Sequence, residues 1–306
     1  MSNPVLQVED LKVTFVDDDG VNQAVRGVSL HVGAGEVLGI VGESGSGKTV
    51  TCATAMGLLH GWPGVVSGKL LLDTGDGRGQ VDLLEGMAAT LRTEEGRVPV
   101  KSKRAWRFFI KRQFRPRWGA DMTMIFQNPQ TALNPFWKVG RIVGEAVRQR
   151  EPGLSRAEVR KKGLEWLERV RLSNPSHVWE SHAHELSGGM AQRAMIAAAL
   201  ARGCRLIFAD EPTTGLDTTV KARVVELFSE LRRTENVAMV VISHDLGVVA
   251  SLADRIVVMK EGQILETRAV EDVTRRAPDL HEYTRRLIGA VDVWKQDDAE
   301  EGANGD

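Results

Sequence analysis

Residues 42–49 have the types and the spacing of a loop that binds phosphate. The pattern G-x-x-x-x-G-K-[ST] is matched in full by Gly42, Glu43, Ser44, Gly45, Ser46, Gly47, Lys48 and Thr49. Glycine has no Cβ atom, so the backbone can curl until several N–H groups face one anion. An apolar strand before the loop and a helix N-terminus after it complete the arrangement. We therefore predict a nucleoside triphosphate site, with the lysine on the β- and γ-phosphates and the threonine on Mg²⁺.

Further along the chain, two carboxylates and a histidine lie just after apolar runs. Asp210 and Glu211 follow residues 205–209. In a phosphate-loop protein, acids at such a position hold Mg²⁺ and orient the attacking water. The alternative is that they only cap a strand. His244 follows the run 237–242, where a histidine is most often structural, although ligands also bind at the carboxyl ends of parallel strands. The pattern favours hydrolysis of the bound nucleotide.

A second anion-binding element and an aromatic side chain extend the predicted site. Ser187, Gly188 and Gly189 open an alanine-rich segment that is predicted to be helical to about residue 202. The free N–H groups and the positive end of such a helix attract phosphate. Phe15 lies on an N-terminal segment of alternating apolar residues. It is either a core aromatic or a ring that stacks on a nucleotide base.

The spacing of apolar residues predicts an α/β fold. Five short apolar runs have the length of buried strands: 37–41, 122–126, 205–209, 237–242 and 255–259. We expect a P-loop NTPase core with a mainly parallel sheet and an N-terminal antiparallel part, in one domain at 1–290. Residues 135–185 look helical, which predicts an inserted α-helical subdomain at about 130–200. A short acidic tail at 291–306 is predicted to be disordered.

Composition excludes several classes of protein. The 306 residues carry a net charge of −1, so no overall basic field attracts nucleic acid. Cys52 and Cys204 form no C-x-x-C pair, which is typical of a reducing compartment and disfavours a thiolate metal site. No run of about 20 uncharged apolar residues is present, so we do not expect a membrane-spanning helix.

Residues 74–120 interrupt the α/β pattern as an insertion whose second half is basic. Nine Lys or Arg residues and no acidic residue lie between Arg97 and Arg117. Four apolar side chains recur among them at helical spacing: Trp106, Phe109, Ile110 and Phe114. This pattern predicts a basic amphipathic helix. Three interpretations stay open, namely a solvated loop without a specific role, a surface whose aromatic stripe and charges contact an anionic membrane or a membrane protein, and a nucleic-acid site.

The order of these motifs resembles the ATPase subunit of an ATP-binding cassette (ABC) transporter. The resemblance extends from about residue 5 to about residue 290. Its motifs are the phosphate loop, Gln127, LSGGM at 186–190, the strand ending in Asp210 and Glu211, GLD at 215–217, and His244. It implies the ABC ATPase fold, with ATP and Mg²⁺ as cofactors.

The resemblance also implies roles for single residues. Phe15 would stack on adenine, and Thr49, Asp210 and Gln127 would surround the metal ion. Gln127 would also link the γ-phosphate to the membrane subunits. Glu211 would be the catalytic base, and His244 would contact the γ-phosphate. The residues expected to meet an ATP molecule held by a second cassette are Ser187, Gly188, Gly189 and Asp217.

Finer details resemble the ATPases of peptide and nickel importers, most closely the first of their two paired subunits. The segments concerned are GESGSGKTVT, IFQNPQTALNP, LSGGMAQR, ADEPTTGLD and HEYTRRLIGAV. The implied function is bacterial import of di- or oligopeptides, with nickel or another small solute as the alternative. The implied partners are two polytopic permeases, a paralogous cassette or else a second copy, and indirectly an exported solute-binding protein. The implied location is the cytoplasmic face of the inner membrane.

Two other classes of protein compete with this interpretation. A soluble cassette ATPase that acts on nucleic acid is supported only by the basic segment at 97–117. A P-loop kinase has no use for LSGGM or for the inserted helices. The transported solute is not encoded in such a chain, because partner proteins select it.

Overall fold

The strands and helices are taken from a computed structural model that describes residues 4–17, 20–59, 64–77, 79–92 and 100–289. The strands are β1 (Leu6–Asp17), β2 (Gly20–Val32), β3 (Val37–Val41), β4 (Gly64–Asp73), β5 (Gln80–Asp82), β6 (Leu91–Arg92), β7 (Val100–Lys101), β8 (Met122–Ile125), β9 (Leu206–Asp210), β10 (Ala238–Ile242), β11 (Arg255–Lys260) and β12 (Gln263–Ala269). The helices are α1 (Lys48–Ala55), α2 (Lys103–Gln113), α3 (Pro129–Ala132), α4 (Val139–Arg150), α5 (Arg156–Arg169), α6 (Pro175–Glu180), α7 (Gly188–Ala201), α8 (Thr218–Glu235), α9 (Leu246–Leu252), α10 (Val270–Thr274) and α11 (282–289). The predicted tail at 291–306 and the start of the basic segment at Arg97 lie outside these residues.

A six-stranded sheet forms the centre of the fold within the described residues. Its strand order is β12-β11-β3-β10-β9-β8. The strands from β11 to β8 are parallel to their neighbours, and β12 is antiparallel at one edge. Every residue of β3, β9 and β10 is buried, as expected for parallel strands that are covered on both faces. The predicted α/β fold with its mainly parallel sheet is confirmed, and β12 is an addition that the apolar pattern did not indicate.

Alternate residues of the central strands pack into two separate cores. Leu38 and Ile40 of β3 lie in the core beside the N-terminal sheet, whereas Val37 and Val41 lie in the core beside the helices. Successive side chains of a strand point to opposite faces, so one short apolar run serves both cores. This alternation explains why the runs are apolar throughout.

The N-terminal strands form the predicted antiparallel part, in the order β2-β1-β4-β5. Strand β2 begins at Gly20, directly opposite the end of β1 at Asp17. Its first residues are mostly exposed, so they carry no apolar alternation that would reveal a strand. The pairing of β2 with β1 extends the sheet to the edge of the candidate site.

Helices α4, α5, α6 and α7 pack on one another in the predicted helical region. Ser155 and Glu158 form a capping box at the start of α5, where the Ser155 hydroxyl accepts from the Glu158 N–H and the Glu158 carboxylate accepts from the Ser155 N–H. The limits of the domain and of its subdomain stay predictions. In the part of the chain that is described, no helix combines the length and the apolar character needed to cross a membrane.

Helix α2 confirms the predicted helix in the basic segment, but its apolar face belongs to the core. Phe109 and Phe114 are buried beside the N-terminal sheet, and Trp106 and Ile110 pack against the same core. The hypothesis that this stripe inserts into a membrane or a permease is therefore wrong for the two phenylalanines, because the protein's own core already covers them. Phe108 is the exposed aromatic of α2, with 67% of its surface accessible.

The junction between α1 and the basic segment generates a prediction about stability. Gly57 has φ +66°, and a Cβ atom there would lie 2.4 Å from the Phe114 ring. We expect Gly57→Ala to lower the free energy of unfolding by about 2–4 kcal/mol, through overpacking and left-handed backbone strain. Gly153→Ala is the matched control, because Gly153 has φ +98° with no atom within 4 Å of the added Cβ. Equal losses of thermal stability in the two variants would contradict the proposed clash.

Candidate functional site

The phosphate loop and the ends of several strands enclose a cleft of about 480 Å³. Ten of the predicted site residues line it: Phe15, Ser44, Gly45, Ser46, Gly47, Lys48, Thr49, Gln127, Glu211 and His244. The sequence analysis did not single out Asn22 and Ala24, which reach the cleft from β2. The structure therefore brings Phe15, most of the phosphate loop and Glu211 together around one cleft.

The backbone of the phosphate loop needs glycine at two close approaches. Gly42 has φ +152°, and a Cβ atom there would lie 2.2 Å from the Met259 carbonyl oxygen. Gly47 has φ +97°, and its Cβ would lie 2.7 Å from the Ala24 carbonyl oxygen. A side chain at either position would push the loop away from the strands that support it.

Lys48 is the first residue of α1, and its side chain reaches back to the start of the phosphate loop. Its ammonium group donates to the carbonyl oxygens of Gly42 and Glu43 at 2.7 and 2.8 Å. Burial lowers the pKa of Lys48, and the charges of Glu211 and Asp210 act in the opposite direction. The phosphate loop thus concentrates a positive charge next to the two acids of the cleft.

Thr49 and Asp210 offer oxygen ligands next to the loop. The Thr49 hydroxyl donates to Asp210 Oδ1 at 3.3 Å, and Gln127 lines the same cleft. Burial raises the pKa of Asp210, and the hydrogen bond from Thr49 opposes this shift. A hydroxyl, a carboxylate and an amide oxygen are the hard donors that Mg²⁺ prefers, so these residues fit the ion implied by the sequence.

Glu211 is the most strongly held side chain of the site. Its backbone has φ +48°, a left-handed conformation that is uncommon outside glycine. One carboxylate oxygen accepts from the Thr214 and Ser243 hydroxyls at 2.9 and 3.2 Å. The other accepts from the backbone N–H of His244 at 2.9 Å. These three hydrogen bonds orient the Glu211 carboxylate.

His244 contacts Glu211 through its side chain as well. Nδ1 lies 2.8 Å from Glu211 Oε1, within hydrogen-bond distance. The side chain is 67% exposed at the cleft, whereas that of Glu211 is 12% exposed. His244 is thus positioned by the acid at one nitrogen, and Nε2 is the nitrogen that this contact leaves for a ligand.

Seven predicted site residues do not line the cleft. Gly42, Glu43 and Asp210 contact Lys48 or Thr49, which do line it. The other four lie at the starts of α7 and α8. Ser187 caps α7 by accepting from the Met190 N–H at 3.3 Å, and Gly188 and Gly189 form the first turn of that helix. Asp217 caps α8 by accepting from the Val220 N–H at 3.0 Å. The residues predicted to form a second anion-binding element therefore do not line the cleft of their own chain.

Sequence reasoning missed the residues that hold the acids in place. Ser243 and Thr214 had no assigned role, because hydroxyls in turns are common and carry no distinctive signal. Gln192, inside α7, is 2% exposed and donates from its side-chain amide to the Pro212 carbonyl oxygen at 2.8 Å. A polar side chain in an alanine-rich helix is the one signal that could have revealed this link.

Comparisons with known proteins agree with the geometry. A family model described as ABC transporter matches residues 25–214. A probable peptide ABC transporter ATP-binding protein, y4tR of Sinorhizobium fredii, is 40% identical over 294 residues, which are 95% of this chain and 78% of that protein. The glutathione import ATP-binding protein GsiA of Shigella flexneri is 39% identical over 94% of this chain. The chain spans only 42% of the length of GsiA.

Solved structures share the fold. The dimeric structure of MJ0796, a bacterial ABC transporter cassette, has a TM-score of 0.68 at 22% identity, covering 87% of this chain and 98% of that one. CbiO1 of Clostridium perfringens, part of the ABC transporter complex CbiONQ, has a TM-score of 0.64 at 23% identity, covering 96% of this chain and all of that one. At these identities the likeness concerns the fold alone.

The contacts of Glu211 generate a prediction about chemistry. We expect Glu211→Gln to lower ATP turnover by about 10²-fold or more, because an amide cannot take a proton from water, while nucleotide binding is retained. Lys48→Ala should instead weaken nucleotide binding, because the phosphates lose a cation. Glu226→Gln, an exposed acid on α8, is the control. Near-normal turnover of the Glu211→Gln protein in its assembled complex would refute the assignment of the base.

Proposed function

Because this chain belongs to the ABC transporter family, we propose that it is the ATP-hydrolysing subunit of a bacterial importer for di- or oligopeptides. The main support is its likeness over 95% of its length to a protein named as a peptide transporter ATPase. The glutathione importer relatives handle a small peptide as well. Nickel as the solute, and action on nucleic acid, have no comparable support.

The chemistry follows from the side chains of the cleft. Phe15 provides a face for adenine, and the loop N–H groups with Lys48 hold the phosphates. Mg²⁺, when bound through Thr49, Asp210 and Gln127, supplies positive charge next to the phosphate oxygens. Glu211 accepts a proton from the attacking water, and His244 contacts the γ-phosphate through the nitrogen that faces away from Glu211. These residue roles are part of the proposal.

The separation of the two anion-binding elements supports function as a pair. Ser187 and Asp217 do not line the cleft of their own chain, so they are available to a nucleotide held by another cassette. ATP would then lie between two subunits, and its hydrolysis would let them part. We propose that the chain lies at the cytoplasmic face of the inner membrane, bound to two polytopic permeases. Its partner cassette is a paralogue, and an exported binding protein selects the solute.

Reconstitution tests the importer and the pairing in one experiment. We expect vesicles to take up a labelled dipeptide only when this chain, a second cassette, both permeases and the binding protein are present. The second cassette is needed because each cleft is completed by the other cassette. Vesicles with the Glu211→Gln chain are the control for ATP hydrolysis. Uptake of nickel but not of peptide would change the solute, and full ATP turnover by the isolated chain at every concentration would refute the pairing.

The basic segment supplies a surface for the membrane side of this assembly. A groove of about 810 Å³ lies along α2. Five cations line it, Lys103, Arg104, Arg107, Lys111 and Arg115, together with exposed Phe108 and with Trp118. No acid lines the groove among residues with a described position. Each cation near an anionic leaflet contributes about 1 kcal/mol, so the groove favours a negatively charged surface.

A charge-removal variant tests this surface. We expect glutamine at four of these cations, Lys103, Arg104, Arg107 and Lys111, and at the neighbouring exposed Arg112 to weaken association with anionic, permease-containing vesicles. The effect should be strongest at low salt, with nucleotide binding unchanged. The readout is flotation during a salt titration. A control with the same loss of charge replaces exposed cations elsewhere: Lys69, Lys161, Arg223, Arg233 and Arg286. Equal flotation of the two variants would show that the segment has no specific role, and selective loss of DNA binding would favour the nucleic-acid interpretation.

A further inference from the structure

A hydrogen bond joins the phosphate loop to the last described helix. The Glu43 N–H donates to the Tyr283 hydroxyl at 3.1 Å, between residues 240 positions apart. Tyr283 lies in the first turn of α11 and is 4% exposed. Its ring also lies 5.4 Å from the Lys260 ammonium, at the end of β11. The contact is therefore made by a buried side chain that packs against other parts of the fold.

Strand β12 fixes the start of α11 and hence the position of Tyr283. Glu266 accepts from the His281 N–H at 3.0 Å and from the Thr284 hydroxyl. Arg268 pairs with Glu266 at 3.0 Å and with Asp279 at 2.9 Å. These contacts tie both sides of Tyr283 in the sequence to one strand. The phenol is thus held in place independently of the loop that it contacts.

The same part of the chain supports the loop at a second point. The Gly262 N–H, in the turn between β11 and β12, donates to the Ser46 carbonyl oxygen at 3.0 Å. The two contacts lie three residues apart in the loop, at Glu43 and Ser46. Between them is the stretch where Gly45 has φ +80°. The turn between β11 and β12 and helix α11 therefore each form a hydrogen bond to the backbone of the curled phosphate loop.

We propose that Tyr283 is a positioning residue for nucleotide binding. By engaging the Glu43 N–H, its hydroxyl keeps the first half of the loop in the curled conformation that accepts phosphate. A loop that is already ordered loses less conformational entropy when the nucleotide binds. Glu211 and His244 belong to other strands, so the chemical step does not depend on this phenol. The proposal requires ATP binding alone and stands whether or not the importer assignment holds.

Tyr283→Phe in the full chain tests the proposal, because it removes the hydroxyl and keeps the ring. We expect the Kd for a fluorescent ATP analogue to rise about five-fold, the effect of losing one hydrogen bond, and kcat in the assembled complex to stay within about two-fold. Thr90→Val is the control, because it removes a buried hydroxyl that bonds to Met87 and not to the loop. An unchanged Kd in Tyr283→Phe, or an equal rise in both variants, would overturn the proposal.

A spectroscopic measurement covers the case in which the variant fails to fold. Tyr283 is the only tyrosine of the chain, so 3-fluorotyrosine gives one labelled site. We expect its ¹⁹F resonance to shift when ATP and Mg²⁺ are added, and to stay in place in Lys48→Ala, which lacks the phosphate-binding cation. A resonance that ATP leaves unchanged would show that the phenol does not sense the loop.

Discussion

The parallel pairing of β10 with β3 on one side and β9 on the other is the constraint that assembles the site. Met239 pairs with Val37 and with Ile207, so the three strands end nearly level. The phosphate loop follows β3, Glu211 follows β9 and His244 follows β10. A backbone bond of 2.9 Å from the Glu211 N–H to the Ile242 carbonyl oxygen continues the pairing into the site. Because a shift of one residue would turn every side chain to the opposite core, the register is strongly specified.

The parts of the fold that sequence predicts well are those with a local cause. A glycine loop with a lysine and a threonine needs only eight adjacent residues, 42–49, to be recognised. The buried strands are continuous apolar runs, because both faces of the sheet are covered. In each case the residues that carry the signal are also those that make the contact.

The rest depends on pairings between distant residues, which no local pattern encodes. Glu211 and His244 were both predicted, but their contact follows from the register of β9 and β10. Residues such as Asn22 reach the cleft because β2 is longer than its apolar alternation. The apolar stripe of α2 has the same helical spacing whether it faces a membrane or the protein's own core, so only the packing of Phe109 and Phe114 decides between them.

The buried bond between Gln192 and the Pro212 carbonyl has a mechanical consequence. Pro212 directly follows Glu211, and Gln192 lies one turn into α7, the helix that Ser187 caps. Leaving such a buried group unpaired costs about 1–3 kcal/mol, so the bond favours arrangements in which α7 and the turn after Glu211 stay together. The bond therefore links α7, the helix that Ser187 caps, to the turn that follows Glu211. A displacement of the N-terminal end of α7 would in this way reach the backbone next to Glu211.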